Sequence, residues 1–330
     1  IKKICQDRGI PFEEVHTYDS HQEELVKRKE AMLTNFLNLQ DYYTRNLKES
    51  PEAVAYVGKR WSMELAEDFG IGYAPQGNKL LEYAQGRFSL SLLKEMGMLG
   101  ENEEDKSHFD FFRYRIMIPI RDYVGHVVAY TARIIQPDYN GKAKYLNNSN
   151  SPVYSKNDII FNLDRARLRL DKKKPMFYAV EGAPDVLKLI MLDVHTAVAT
   201  LGAQWTEKQL LQLQRYAKTI CFIPDSDPPK ENGEMPPGLK GVIASAKLAT
   251  KMGFACFIKE LPLGPDNTKN DADSYFNSRQ KFDALEEQDF VTWYAALSFK
   301  SVSSPRERSA AIHNVAEVIG SIEDRVLRKQ

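Results

Sequence analysis

Between residues 176 and 273, short apolar runs repeatedly end on acidic residues, and this pattern constrains the chain more than any other feature. Met176 to Val180 (MFYAV) stops on Glu181-Gly182, and Asp185 follows one turn into a helical pattern, PDVLKLIMLD. Thr219 to Pro224 (TICFIP) stops on Asp225-Ser226-Asp227, and Gly253 to Pro262 (GFACFIKELP) is followed by Asp266, Asp271 and Asp273. Short apolar runs alternating with helix-length segments predict a parallel sheet. Such sheets present ligand sites at the carboxyl ends of their strands, so the carboxylates are expected to converge. Gathered there, they raise one another's pKa unless a cation sits between them. Hard oxygen ligands of this kind suit Mg²⁺ or Mn²⁺. Any one of these stretches alone reads equally as a turn rich in Asp, Gly and Pro, but all of them together do not.

The 330 residues suggest two or three domains, and 43% apolar with 27% charged residues describe an ordinary globular chain. No stretch approaches the roughly 20 apolar residues of a membrane span, and no signal peptide precedes the first helical pattern. The chain begins at Ile1 without Met and is expected to be a piece of something longer. Cys5, Cys221 and Cys256 stand alone, without the spacing of a zinc site or a disulfide framework, which fits a reducing cytoplasm. Cys221 and Cys256 read as small buried hydrophobes. The 45 Lys and Arg balance the 45 Asp and Glu, yet the charge is segregated. From 111 to 174 there are 13 Lys or Arg against five Asp, a formal excess of +8 directly before the acidic region.

Residues 21 to 57 show helical spacing, with Leu25, Met32, Leu33, Phe36, Leu37, Leu39 and Tyr43 as apolar positions. SPEAVAYVGKRW opens a further helix with Ser50 as N-cap and Pro51 at its first position. SMELAEDFGIGYAP and LSLLKEMGMLG read as helices stopped by Gly. Phe111 to Ile135 (FFRYRIMIPIRDYVGHVVAYTARII) alternates apolar and polar residues and turns at VGH, as a hairpin does. TEKQLLQLQRY and GLKGVIASAKLATKM have the spacing of helices that cover a sheet. FVTWYAAL and RERSAAIHNVAEVIGSIEDRVL give a helical tail, and His126, His195 and His313 receive no role.

Glu181-Gly182 with Asp185, followed by Asp225-Ser226-Asp227, resembles the Toprim fold of DnaG-type primases, type IA and type II topoisomerases and some nucleases. Among these the helix opening EGAPDVL is similar to the primase version. The family's Asp-x-Asp is closely followed by an Ala-Gly that starts a helix, whereas here PPKENGEMPP intervenes before Gly238. A second set of residues narrows the resemblance to the DnaG-type primase core: Arg115, Met117, Pro119, Ile120, Arg121, Asp122, Gly125, Val127 and Arg133, then Lys144-Tyr145-Leu146-Asn147, then Lys156. "EDF" leading into "GYAP" belongs to the same pattern. Where the family has Gly-Gly before the last Arg, this chain has Thr131-Ala132. The resemblance covers about residues 60 to 275.

The resemblance implies an α/β protein: a mixed α+β basic part (1–170), a central Toprim parallel sheet flanked by helices (171–275) and a helical carboxy-terminal part (276–330). It implies RNA primer synthesis on single-stranded DNA from ribonucleoside triphosphates, with two or more Mg²⁺ or Mn²⁺ ions. Glu181 would lie closest to the chemistry, as ligand or base; Asp225 and Asp227 would ligate metal; Asp271 and Asp273 would complete the cluster; Asp185 would support it. Arg133, Lys144 and Lys156 would face template or nucleotide, with Arg113, Arg115 and Arg121 as further basic candidates that a hairpin can also use structurally. A replicative helicase would be met through flanking regions. Two alternatives are a Toprim nuclease or topoisomerase-like enzyme, and a catalytically idle module that binds single-stranded nucleic acid.

Overall fold

The computed structural model describes residues 20–135, 143–229, 234–300 and 302–322. It opens with α1 (Ser20–Glu49), α2 (Pro51–Arg60) and α3 (Met63–Phe69). Ser50 and Ser62 cap α2 and α3 through their hydroxyls, and Gly70, at φ 71°, ends α3 in the left-handed conformation that only glycine adopts cheaply. α1 buries Met32, Phe36, Leu39 and Tyr43 but leaves Leu25 and Leu37 exposed, so its apolar stripe is narrower than the spacing suggested.

Beyond β1 (Gly72–Ala74), α4 (Lys79–Ala84), α5 (Leu90–Glu95), β2 (Leu99–Glu101) and β3 (His108–Asp110), the hairpin forms from β4 (Arg115–Arg121) and β5 (Val127–Ile134). Its turn is set by Asp122, whose Oδ1 accepts from the backbone N–H groups of Val124, Gly125 and His126. With β6 (Tyr145–Asn147) these strands make an antiparallel sheet of order β1-β4-β5-β6. The expected polar face is missing. Nearly every residue of β4 and β5 is buried, because two apolar clusters claim the sheet: Met117, Tyr130 and Ala132 pack with α1, and Ile116, Ile118 and Val128 join a core shared with the next layer.

That next layer follows α6 (Leu163–Ala166). It contains β7 (Phe177–Val180), α7 (Ala183–Met191), β8 (Ala197–Ala199), α8 (Glu207–Gln214), β9 (Thr219–Phe222), α9 (Pro237–Lys251) and β10 (Ala255–Ile258). β8, β7, β9 and β10 are parallel neighbours. The side chains of this sheet divide between two clusters, Phe177, Ile220 and Phe222 packing with α8 and α9, and Val180, with Ile223 just after β9, packing with α7. Burial on both faces explains why these strands read as continuous apolar runs. β8 is a three-residue strand that the sequence pattern did not single out.

After α10 (Ala272–Tyr275) and α11 (Arg279–Ala284), β11 (Gln288–Asp289) caps the β10 edge antiparallel, and α12 (Phe290–Phe299) and α13 (Pro305–Ser321) form the helical end. Phe290, Trp293, Tyr294 and Val318 anchor that end on the α8/α9 face of the sheet. Cys221 and Cys256 are free and buried, as expected. Cys5, Asp138, Lys142, part of the PPKENGEMPP stretch and the last eight residues lie outside the described residues.

Candidate active site

β7 and β9 are parallel neighbours, so the residues immediately after them emerge at one sheet edge. Glu181 comes after β7, and Asp225 and Asp227 come after β9. Glu181 is largely buried, and its Oε1 has no hydrogen-bond partner. Burial, reinforced by the charge of Asp225, pushes its pKa up to about 7 against the opposing pull of Lys269. Burial raises Asp225 as well, again opposed by Lys269. The opening of α9 gives the distance scale: a Cβ on Gly238 would lie 3.0 Å from both Glu181 Oε1 and Asp227 Oδ2. The two oxygens therefore face one small space that the missing side chain leaves open. The insertion before Gly238 has not removed the glycine from the carboxylates.

Asp185 supports rather than joins this pair. Its Oδ2 accepts from the Gly182 N–H (3.1 Å) and its Oδ1 from the Asp273 N–H (3.1 Å), which fixes the start of α7 against the first turn of α10. Burial, with the charges of Asp225 and Asp271 behind it, holds the Asp185 pKa well above the carboxylate range. Asp271 caps α10 through Ser274 N–H at 2.7 Å but also lines the cleft. Asp273 is paired with the guanidinium of Arg60 and so faces the basic layer. The expected ring of six carboxylates thus resolves into a pair around Gly238, a third, Asp225, beside it, and three residues with structural partners.

A cleft of about 320 Å³ joins the two layers. Glu181, Asp185, Asp225, Lys269 and Asp271 line one side, and Arg60, Thr131, Lys144, Tyr145 and Asn147 line the other. Arg133 stands behind the second wall. Its guanidinium donates to the hydroxyls of Tyr56 and Tyr145 (2.8 Å for Tyr145) and lies over both rings. Lys144 is exposed at the rim, and the exposed Lys156 runs its stem past Gly202, another lining residue.

The other three basic candidates are placed elsewhere. Arg115 is 5% exposed and donates to the carbonyls of Ala132, Lys144 and Ala143. Arg121 donates to the carbonyls of Gly125 and Phe69. Arg113 bonds Asn78 and covers the Phe109 ring. Arg115 and Arg121 thus tie strands and loops together, because a buried guanidinium keeps its charge only where its donors are matched. Sequence reasoning missed Arg60, Tyr56 and Lys269, and named Tyr145 beside Lys144 without giving it a role. Lys269 carried a signal: it is the lone cation in an otherwise acidic loop, DNTKNDAD.

Lys269 Nζ lies 2.9 Å from Asp225 Oδ2 and 2.8 Å from Asp227 Oδ1. Burial works against its charge, but the bonds to Asp227 and Asp225 outweigh this and hold its pKa above the ordinary lysine value. Among the described residues no three carboxylate, His or Cys side chains are set to enclose a metal ion as they stand. The donor chemistry nevertheless fits a hard divalent cation. An unpartnered buried carboxylate oxygen faces a second one across a side-chain-free cradle, and an ammonium already stands between two of the acids.

A parallel sheet carrying Glu after one strand and Asp-x-Asp after its neighbour defines a Toprim-type protein, and residues 178–276 match the Toprim-like family model. Residues 42–167 match the DNA primase catalytic core, N-terminal domain. In chain order the protein therefore combines a part matching the amino-terminal domain of a DnaG-type DNA primase catalytic core with a Toprim-like part. It is 35% identical over 193 residues to a DNA primase of Pseudomonas aeruginosa, covering 57% of this chain and 28% of the relative. It is 33% identical over 231 residues to one of Neisseria meningitidis, covering 69% of this chain and 38% of the relative. The chain thus spans about a third of the length of the curated relatives it matches. A solved DNA primase domain from Pseudomonas aeruginosa superimposes with a TM-score of 0.75 at 25% identity, covering 90% of this chain and 92% of that one. A DnaG catalytic domain solved with single-stranded DNA gives 0.76 at 23% identity, covering 92% and 94%.

Proposed function

We propose that this chain is the polymerase core of a primase, joining ribonucleotides into RNA primers on a single-stranded DNA template in the cytoplasm. The observation that carries this reading is the shared cleft: Glu181, Asp225 and Asp227 stand on or beside one wall, and Lys144 with the Arg133-backed Tyr145 on the other. The primase relatives, and the DnaG catalytic domain solved with single-stranded DNA, support it.

The reaction is nucleotidyl transfer. The 3′-hydroxyl oxygen bonds to the α-phosphorus of the incoming triphosphate, the bond to the bridging oxygen breaks, and pyrophosphate leaves. Glu181, Asp225 and Asp227 would hold Mg²⁺ or Mn²⁺, which when bound would supply charge neutralisation at the phosphate oxygens. Where Glu181 does not serve as a ligand, it would instead accept the hydroxyl proton. Asp185 keeps the Glu181 turn and the start of α10 in register through its two backbone bonds. Lys144 and Lys156 supply phosphate contacts for template or triphosphate, and Arg133 stiffens the Tyr56–Tyr145 wall. A replicative helicase would be engaged by parts of the protein beyond this core.

Incorporation of labelled ribonucleotides on single-stranded templates, with Mg²⁺ or Mn²⁺, tests the proposal. Metal-dependent dinucleotide and primer products are expected. Cleavage of plasmid in the absence of nucleotides, without such products, would assign the site to a nuclease instead.

A further inference from the structure

The carboxylate wall already contains a cation of its own. Lys269 bridges Asp225 and Asp227 with nearly equal bonds, 2.9 and 2.8 Å. The main chain of the next residue, Asn270, is tied to Ser226, the residue between those two aspartates. Ser226 N–H donates to the Asn270 carbonyl at 2.8 Å, and Asn270 N–H donates back to Ser226 Oγ at 3.2 Å. Ser226 Oγ and Asn270 Nδ2 both donate to the Pro262 carbonyl, at 2.9 and 2.8 Å. The ammonium is therefore delivered by a loop cross-linked to the aspartates themselves, and is more than a surface side chain that happens to reach them.

The bridge is also selective. It takes Asp225 Oδ2 and Asp227 Oδ1, while Asp227 Oδ2 and Glu181 Oε1 are left facing the space at Gly238. The lysine side chain is 47% exposed, so it has a route into solvent.

We infer that Lys269 is a resident counter-cation: it holds Asp225 and Asp227 together in the metal-free protein, and a divalent ion that binds these two aspartates must displace it. Lys269 is then a positioning residue that sets the affinity of the site. The inference rests on the metal-binding role given to these acids above. One ion can enter between Glu181 Oε1 and Asp227 Oδ2 with the lysine in place, whereas an ion held by Asp225 and Asp227 competes with it. The competition has a structural benefit: two aspartates at adjacent alternate positions of one loop repel each other when nothing positive stands between them.

The test is Mn²⁺ binding to the nucleotide-free protein, followed by the paramagnetic signal of free Mn²⁺, together with melting in EDTA. Lys269→Met should bind Mn²⁺ on the order of tenfold more tightly than the parent, a modest share of the repulsion between a near ammonium and a divalent ion. It should melt lower than the parent in EDTA and recover when Mn²⁺ is added. Lys269→Arg, which keeps the positive charge, should bind Mn²⁺ no more tightly than the parent. If Lys269→Met does not fold without metal, its recovery on Mn²⁺ addition reads the same competition. Equal Mn²⁺ isotherms for parent and Lys269→Met would overturn the role of Lys269 while leaving the metal site standing. Absence of Mn²⁺ binding in all three proteins would overturn both.

Discussion

Arg60 and Asp273 stand 213 residues apart in the chain, yet their side chains are paired where the basic sheet meets the Toprim-like sheet. Asp273 is 9% exposed, and burial drives its pKa up, with Arg60 as the leading opposing charge and the neighbouring Asp271 adding to the rise. The pair makes one wall of the cleft dependent on the other.

Arg60→Ala should therefore destabilise the fold by about 1–3 kcal/mol, the cost of leaving a buried polar group without its partner. Asp273→Asn added to it should recover part of the loss, since the uncompensated charge is gone. A double-mutant cycle in urea checks this. Additive losses would mean that the two side chains do not interact in solution.

The Glu181 carboxyl gives a pH dependence with a defined sign. Its folded pKa is about 7 against an ordinary 4.5, so between those values the folded state holds the extra proton and stability falls as pH rises. Glu181→Gln removes that slope. In EDTA the melting-temperature advantage of Glu181→Gln should widen between pH 5 and pH 7 and then level off. Parallel curves for the two proteins would contradict the assignment.

Gly238→Ala separates folding from the site. In the first turn of α9 alanine is the better helix former, by up to about 1 kcal/mol, but its methyl group enters the space shared by Glu181 Oε1 and Asp227 Oδ2. Stability should change little while Mn²⁺ affinity falls several-fold. Unchanged Mn²⁺ binding would mean that ions do not use that space.

Much of this arrangement was legible in the chain because parallel strands buried on both faces are continuous apolar runs, and the residues at their carboxyl ends fall at one edge. Glu181, Asp225 and Asp227 were found that way. The basic side was harder. Arg115 and Arg121 have the same residue type and hairpin setting as Arg133, and only the carbonyls around them show that they hold the scaffold together. Arg60, far away on α2, reaches the site through a tertiary contact that no local spacing encodes. β8, three residues long, carries too little periodicity to be read at all.

The exposed lysines should behave differently from Arg133. Lys144→Ala should leave stability within about 0.5 kcal/mol of the parent. If Lys144 meets template phosphate, the variant should flatten the salt dependence of single-stranded DNA binding by a slope of about 0.7. Arg133→Ala should lose stability as well, because two tyrosine rings and their hydroxyls lose their common partner. Equal effects of the two variants on melting would remove the distinction between rim and support. An unchanged slope with a raised apparent KM for nucleotide would place Lys144 on the triphosphate.

If the acids at the carboxyl ends of β7 and β9 hold the catalytic divalent ions, diffraction from crystals soaked in Mn²⁺ will locate those ions without recourse to activity. Anomalous density is expected within bonding distance of Glu181 and Asp227, with any further ion at Asp225 accompanied by Lys269 turned away from the aspartates. Anomalous density confined to other sites, with none at these side chains, would contradict the metal-binding role of these acids.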